Sequence, residues 1–302
     1  MEETITGALE ERGPLTGAAL REVCRGEGFD LWRSCMLSDR VLVRRIGRRY
    51  LRLDRRVEGF ARLSPSILRE FLTYCVVGLE EQSPSIERRA DDLAEHIAQV
   101  SAAKLRLGRR IVDELGTRVR VSLGDAAEGY CVLLAGDIVY GMGHDAPRSE
   151  SSTGQMVKGS DIDLVVITED SAPSELGEAL DAAIYQEKYR LLNNPAFREE
   201  IDYVVKPLSR VREQAKFDTF KHMVSCKILK EAKLISGKED LHKRAVGLLD
   251  EGGIGEKLAA MEAEATEARR RAEMHLLRRD EGGLSGEDLY LFHTSEETEE
   301  FE

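Results

Sequence analysis

One ten-residue run constrains this chain more than any other: Lys158-Gly159-Ser160-Asp161-Ile162-Asp163-Leu164-Val165-Val166-Ile167. Its apolar end, rich in β-branched residues, reads as a buried strand. Residues two apart on a strand share a face, so Asp161 and Asp163 stand side by side at the strand's mouth. Adjacent carboxylates repel each other unless a cation lies between them. Ligands that are all oxygen suit Mg²⁺. The run Glu199-Glu200-Ile201-Asp202-Tyr203-Val204-Val205 brings a third carboxylate, Asp202, on a second short strand. Three carboxylates on adjacent strands predict a site for two Mg²⁺ ions about 3.5–4 Å apart, the arrangement used for in-line displacement at phosphorus.

The rest of the chain divides by charge. Of the 302 residues, 1–62 hold 13 Lys/Arg and 10 Asp/Glu, a net of +3 within a chain of net −12, so the remainder carries −15. Nine arginines lie between Arg33 and Arg56 against only Asp39 and Asp54. Such asymmetry implies two modules with different partners. Helices are expected over 3–11, 15–24 and 29–36, then strands at Val41–Val43 and Tyr50–Leu53 around Gly47. Three helices and a basic hairpin are the layout of a winged helix. Arg44, Arg45, Arg48 and Arg49 are then candidates for nucleic-acid contact; the alternative is a helical cap with a solvated arginine hairpin.

A helix is expected from Pro65 to Val77. A long one follows from Ser83-Pro84, a good cap and first-turn pair, and stops near Gly116. Its stripe of Ile86, Ala90, Leu93, Ile97, Val100, Leu107 and Ile111 packs on a domain or on a second copy, so a homodimer through 84–115 is one expectation. Strands are expected at Arg118–Leu123 and Tyr130–Ala135, a helix over Ser174–Leu192, and almost wholly helical chain from Leu208. The expected organisation is a winged-helix-like domain (1–62), a helical connector (63–116), a strand-and-helix domain (117–207), a C-terminal helical region (208–279) and an acidic tail (280–302). The tail holds nine acids and no Lys or Arg. It is expected to be solvated or to mask the arginine-rich face.

The run GSDIDLVVI, the upstream strand Cys131–Ala135 ending at Gly136, and the downstream strand with Asp202 resemble the DNA polymerase β-like nucleotidyltransferase superfamily. The resemblance covers about residues 117–207. It implies an α+β fold, a small mixed sheet with flanking helices, to which the winged helix and C-terminal helices are added. It further implies that Asp161 and Asp163 bind both metals. Asp202 would bind one and help deprotonate the attacking hydroxyl. Gly136, Asp137, Lys158, Gly159 and Ser160 would meet the nucleotide. The implied activity is Mg²⁺-dependent transfer of a nucleoside monophosphate from a nucleoside triphosphate to a nucleic-acid or protein hydroxyl, releasing pyrophosphate.

Two departures bear on that activity. Asp137 stands where the family has Ser, and an acid there repels phosphate unless it turns away or joins the metals. The polar loop from Met142 to Lys158 is longer than usual. It supplies phosphate contacts through Arg148, Ser151, Ser152, Thr153, Gly154 or Lys158, or it is a plain surface insertion. Three intact carboxylates favour an enzyme. Asp137 favours the alternative, a DNA-binding regulator or interaction protein whose nucleotidyltransferase fold senses a nucleotide without chemistry. His144, in the loop, is either a ligand or proton carrier or a plain loop histidine, and His222 reads as structural. One of Lys221, Lys227, Lys230 and Lys233 could reach the triphosphate.

Five cysteines, odd in number and without a CxxC pair, argue against a disulfide framework or a structural zinc. With the acidic opening MEETITGALEE and no apolar run of about 18 residues, they point to the cytoplasm and to no membrane partner.

Overall fold

The computed structural model describes residues 1–150, 153–279 and 284–293. It is an α+β structure in two compact units, one of Met1–His96 with the described residues from Ala260 on, the other of Ile97–Ala259. No described helix is long and apolar enough to cross a membrane.

The first unit starts with helices Glu2–Arg12, Gly17–Cys24 and Gly28–Leu37. The second is capped by Thr16, whose hydroxyl accepts from the Ala19 amide at 3.3 Å. Ile5, Leu9, Leu20, Leu31 and Trp32 from these helices meet Ile67 and Phe71 in one apolar core. The expected hairpin between Val41–Val43 and Tyr50–Leu53 does not form. Val41–Arg45 pairs instead with Cys75–Leu79, and Tyr50–Leu53 with Ala61–Ser64. The reason lies in Cys75-Val76-Val77-Gly78-Leu79, expected as the end of a helix. Helix Ile67–Tyr74 stops before it, and the β-branched pair extends as the middle strand of a three-stranded sheet.

The C-terminal stretch also departs from expectation. Residues 280–283 and 294–302 of the expected tail lie outside the described residues. Between them, Gly286–Phe292 is a helix capped reciprocally by Ser285 and Asp288. Phe292 is only 2% exposed and meets Phe29 edge to face at 5.4 Å. An aromatic buried this way belongs to a core, whatever the charge of its neighbours.

Helix Ser83–Leu123 contributes to both units. It runs through Gly116, the expected stop, and through 118–123, the expected strand. Gly116 has a packing role there: a β-carbon would come 2.9 Å from the Tyr130 hydroxyl. Much of the apolar stripe packs on its own chain, while Leu93, Val100 and Leu107 are half-buried. Ile86 and Ala90 pack with Val76 in the first unit, while Ile111, Val112, Leu115 and Val119 join the core of the second.

The second unit is built on a four-stranded sheet in the spatial order Ile201–Pro207, Ile162–Thr168, Tyr130–Ala135, Lys233–Gly237. The first pair is parallel and the other two are antiparallel, so the sheet is mixed. Every residue of Ile162–Thr168 is buried, as its apolar run demands. Helix Ser174–Asn193 makes the crossover and buries Leu176, Leu180, Ile184 and Leu191. Lys233–Gly237, in chain expected to be wholly helical, supplies the fourth strand; Gly237 allows close approach, since a β-carbon would lie 2.4 Å from the Tyr130 carbonyl.

Candidate metal centre

Parallel pairing sets Asp163 directly opposite Asp202. Asp161 precedes the central strand by one residue and its carboxylate reaches the same mouth. Ligand oxygens of Asp161, Asp163 and Asp202 all lie within 4.8 Å of one another, close enough to hold a metal ion. Asp163 is buried, and the other two are half-buried.

Two glycines make this approach possible. Gly136 ends the strand Tyr130–Ala135, whose Ala135 pairs with Asp163. Its φ is +72°, and a β-carbon there would fall 1.9 Å from Asp163 Oδ2. Gly159, at φ +60°, would place a β-carbon 1.8 Å from the His144 carbonyl. Both positions require glycine for conformation and for space.

Ser160 ties the two turns together. Its amide donates to the His144 carbonyl at 3.0 Å, and its hydroxyl accepts from the His144 amide at 3.1 Å and donates to Asp137 Oδ2 at 3.0 Å. Asp137 is thus turned onto Ser160. The Gly136 amide donates to Glu231 Oε1 at 3.3 Å, and Glu231 also takes the Tyr140 hydroxyl and, at 2.8 Å, the Lys227 ammonium.

Two cations balance the carboxylates. Arg148 Nη2 contacts Asp161 Oδ1 and lies 2.8 Å from Glu200 Oε2, while its Nε donates to the Gly159 carbonyl at 2.8 Å. Lys188 Nζ lies 2.9 Å from Asp202 Oδ1. The bare repulsion expected of the carboxylates is therefore offset. Burial pushes the Glu200 carboxyl above its ordinary range, against the pull of Arg148, with Asp202 and Glu150 adding repulsion. Deeper in, Lys104 Nζ lies 2.5 Å from Glu199 and donates to the Lys158 carbonyl at 2.7 Å; burial lowers its pKa against the pull of Glu199.

Of the residues expected to meet a nucleotide, Gly136, Asp137, Gly159 and Ser160 surround the carboxylates as described. Lys158 differs: its side chain is exposed and reaches the Ala196 carbonyl at 3.4 Å. In the loop, Pro147–Ser149 and Met156–Lys158 form a two-stranded ribbon, so this stretch is built rather than a plain insertion. Thr153 is spent on Glu150, and Ser151 and Ser152 lie outside the described residues. Lys188, Lys104 and Glu231 were missed, because a charged residue on a helix has no sequence signal of where it points. The arginine candidates lie in the other unit. Arg49, 20% exposed, pairs with Glu70 at 2.6 Å and Glu273 at 2.5 Å. Arg44 pairs with Glu87 at 3.2 Å and Arg45 with Glu70 at 3.1 Å. Arg48 is also engaged.

The all-carboxylate donor set, the buried Asp163 and the glycine that admits its oxygen fit a hard divalent cation such as Mg²⁺. No family model matches the chain, and no curated protein does.

Proposed function

We propose that the second unit is a Mg²⁺-dependent nucleotidyltransferase of the DNA polymerase β-like type, moving a nucleoside monophosphate from a nucleoside triphosphate to an acceptor hydroxyl. The observation that carries this reading is the convergence of Asp161, Asp163 and Asp202 on one strand mouth. Asp161, Asp163 and Asp202 would hold the metal. Bound there, Mg²⁺ neutralises charge on the triphosphate. Asp163, buried in the space that Gly136 leaves, orients the cluster. Asp202, on the edge strand, accepts the proton of the acceptor hydroxyl as that oxygen bonds to the α-phosphorus. The bond from the α-phosphorus to the bridging oxygen breaks, and pyrophosphate leaves with the electron pair. Lys188 stands beside Asp202, its ammonium paired with Oδ1. The first unit would bring a nucleic-acid or protein acceptor, in keeping with its helix–strand–helix–helix–strand order.

A second reading, a nucleotide sensor without chemistry, is favoured by Asp137 and by the Gly136 amide already given to Glu231. Pyrophosphate release separates the two. The enzyme releases it from at least one nucleoside triphosphate, and Asp202→Asn lowers turnover by about 10²–10⁴-fold while nucleotide affinity changes little. Saturable nucleotide binding without pyrophosphate from any of the four triphosphates supports the sensor. An Asp202→Asn protein as active as the parent removes Asp202 from the chemistry.

A further inference from the structure

We propose that Arg148 is the phosphate anchor of this site and, before metal arrives, the stand-in for the metal on Asp161. This inference rests on the nucleotidyltransferase reading above. It starts from the turn at Gly136. In the family that turn meets the triphosphate, but here it is acidic. Asp137 occupies the hydroxyl position, and the Gly136 amide is engaged by the Glu231 carboxylate. A phosphate approaching that turn meets two carboxylates and no amide donor from Gly136. The phosphates need a cation elsewhere.

Arg148 supplies it. The residue belongs to the ribbon Pro147–Ser149/Met156–Lys158, the part of the chain that is longer than the family pattern. Its Nε is anchored on the Gly159 carbonyl, and its Nη2 spans Asp161 and Glu200. The side chain is 26% exposed, so solvent reaches it. A planar fork held at one nitrogen suits bidentate phosphate recognition.

The same contact makes Arg148 a competitor. Asp161 Oδ1 cannot face a guanidinium and a divalent cation at once. Metal binding therefore releases the Asp161 end of Arg148, while Gly159 and Glu200 keep it beside the cluster. A metal that enters with a triphosphate brings the phosphate oxygens that take over the freed donors. Arg148 thus opposes bare metal and favours metal carrying phosphate.

The two effects have opposite signs, which a merely structural arginine would not produce. Mn²⁺ alone, followed by spin resonance, and then inorganic tripolyphosphate at saturating Mn²⁺, are titrated into the full-length protein. Arg148→Gln should tighten Mn²⁺ about tenfold and weaken tripolyphosphate about tenfold, each ~1.4 kcal/mol. Arg148→Lys keeps the charge and should return Mn²⁺ affinity toward the parent's. The double variant Arg148→Gln/Glu200→Gln removes the buried Glu200 charge that loss of Arg148 would strand, so it keeps the test valid where the single variant folds poorly, and it should show the same opposite shifts. Unchanged or jointly weakened affinities in a folded variant overturn the role of Arg148. A parent protein that binds no Mn²⁺ overturns the nucleotidyltransferase reading itself, and this inference with it.

Discussion

A β-carbon at Gly136 would sit 1.9 Å from Asp163 Oδ2, on a backbone at φ +72°. Either the carboxylate leaves the cluster or the turn opens. Gly136→Ala should therefore cost about 2–4 kcal/mol, from a backbone at ψ −159° that essentially only glycine adopts plus overpacking, and weaken metal binding with it. Gly141 is the control. Its φ is +71°, but nothing lies within 4 Å of a β-carbon there, so Gly141→Ala should cost only about 1–2 kcal/mol. Denaturant midpoints of the two variants check this. Equal losses would mean that close approach to Asp163 does not constrain Gly136.

The edge strand Ile201–Pro207 carries Asp202 at one end and Lys206 at the other, on the same face. Lys206 is buried, donating to Gln214 Oε1 at 2.7 Å, and burial pulls its pKa down to about 8. Lysine in the unfolded chain titrates near 10.4. Between those values the unfolded state binds more protons than the folded one, so stability rises with pH. The penalty is complete below about pH 8 and fades towards pH 10.5. Parent stability should thus gain on Lys206→Met by on the order of 3 kcal/mol from pH 7 to 10.5. A gap that stays constant over that range would contradict the burial of a charge there. Elements were legible where local pattern and packing agreed. The strand Ile162–Thr168, the helix Ser174–Asn193 and the carboxylate pair two residues apart all follow from periodicity. Cys75–Leu79 and Lys233–Gly237 were not legible, because a short apolar run becomes a strand only when a neighbouring strand offers it a free edge. Gly116 reads as a stop until Tyr130 is seen against it. The cations around the carboxylates come from a distant helix and an inserted ribbon, and only the folded chain brings them there.

At the scale of the molecule, the charge asymmetry resolves into two kinds of electrostatics. In the first unit some arginines serve the interior, Arg52 buried and Arg49 half-buried, while Arg40, Arg44, Arg45, Arg48, Arg55 and Arg56 are exposed. Arg45, Arg49 and Arg269 converge on Glu70, and Arg269 also donates to the Pro65 carbonyl at 3.0 Å. Such a network fixes the fold around Glu70. In the second unit, carboxylates are gathered on one strand mouth with cations held against them, an arrangement that matters only if a metal or a phosphate exchanges into it. The central claim is therefore that Asp161, Asp163 and Asp202 form a divalent-metal site. Titration of Mn²⁺ into the parent protein and into Asp163→Asn tests it directly. The parent should bind saturably, and Asp163→Asn should bind at least about 100-fold more weakly (~2.7 kcal/mol) with an unchanged circular dichroism spectrum. No saturable binding by the parent, or equal binding by the variant, would contradict the claim.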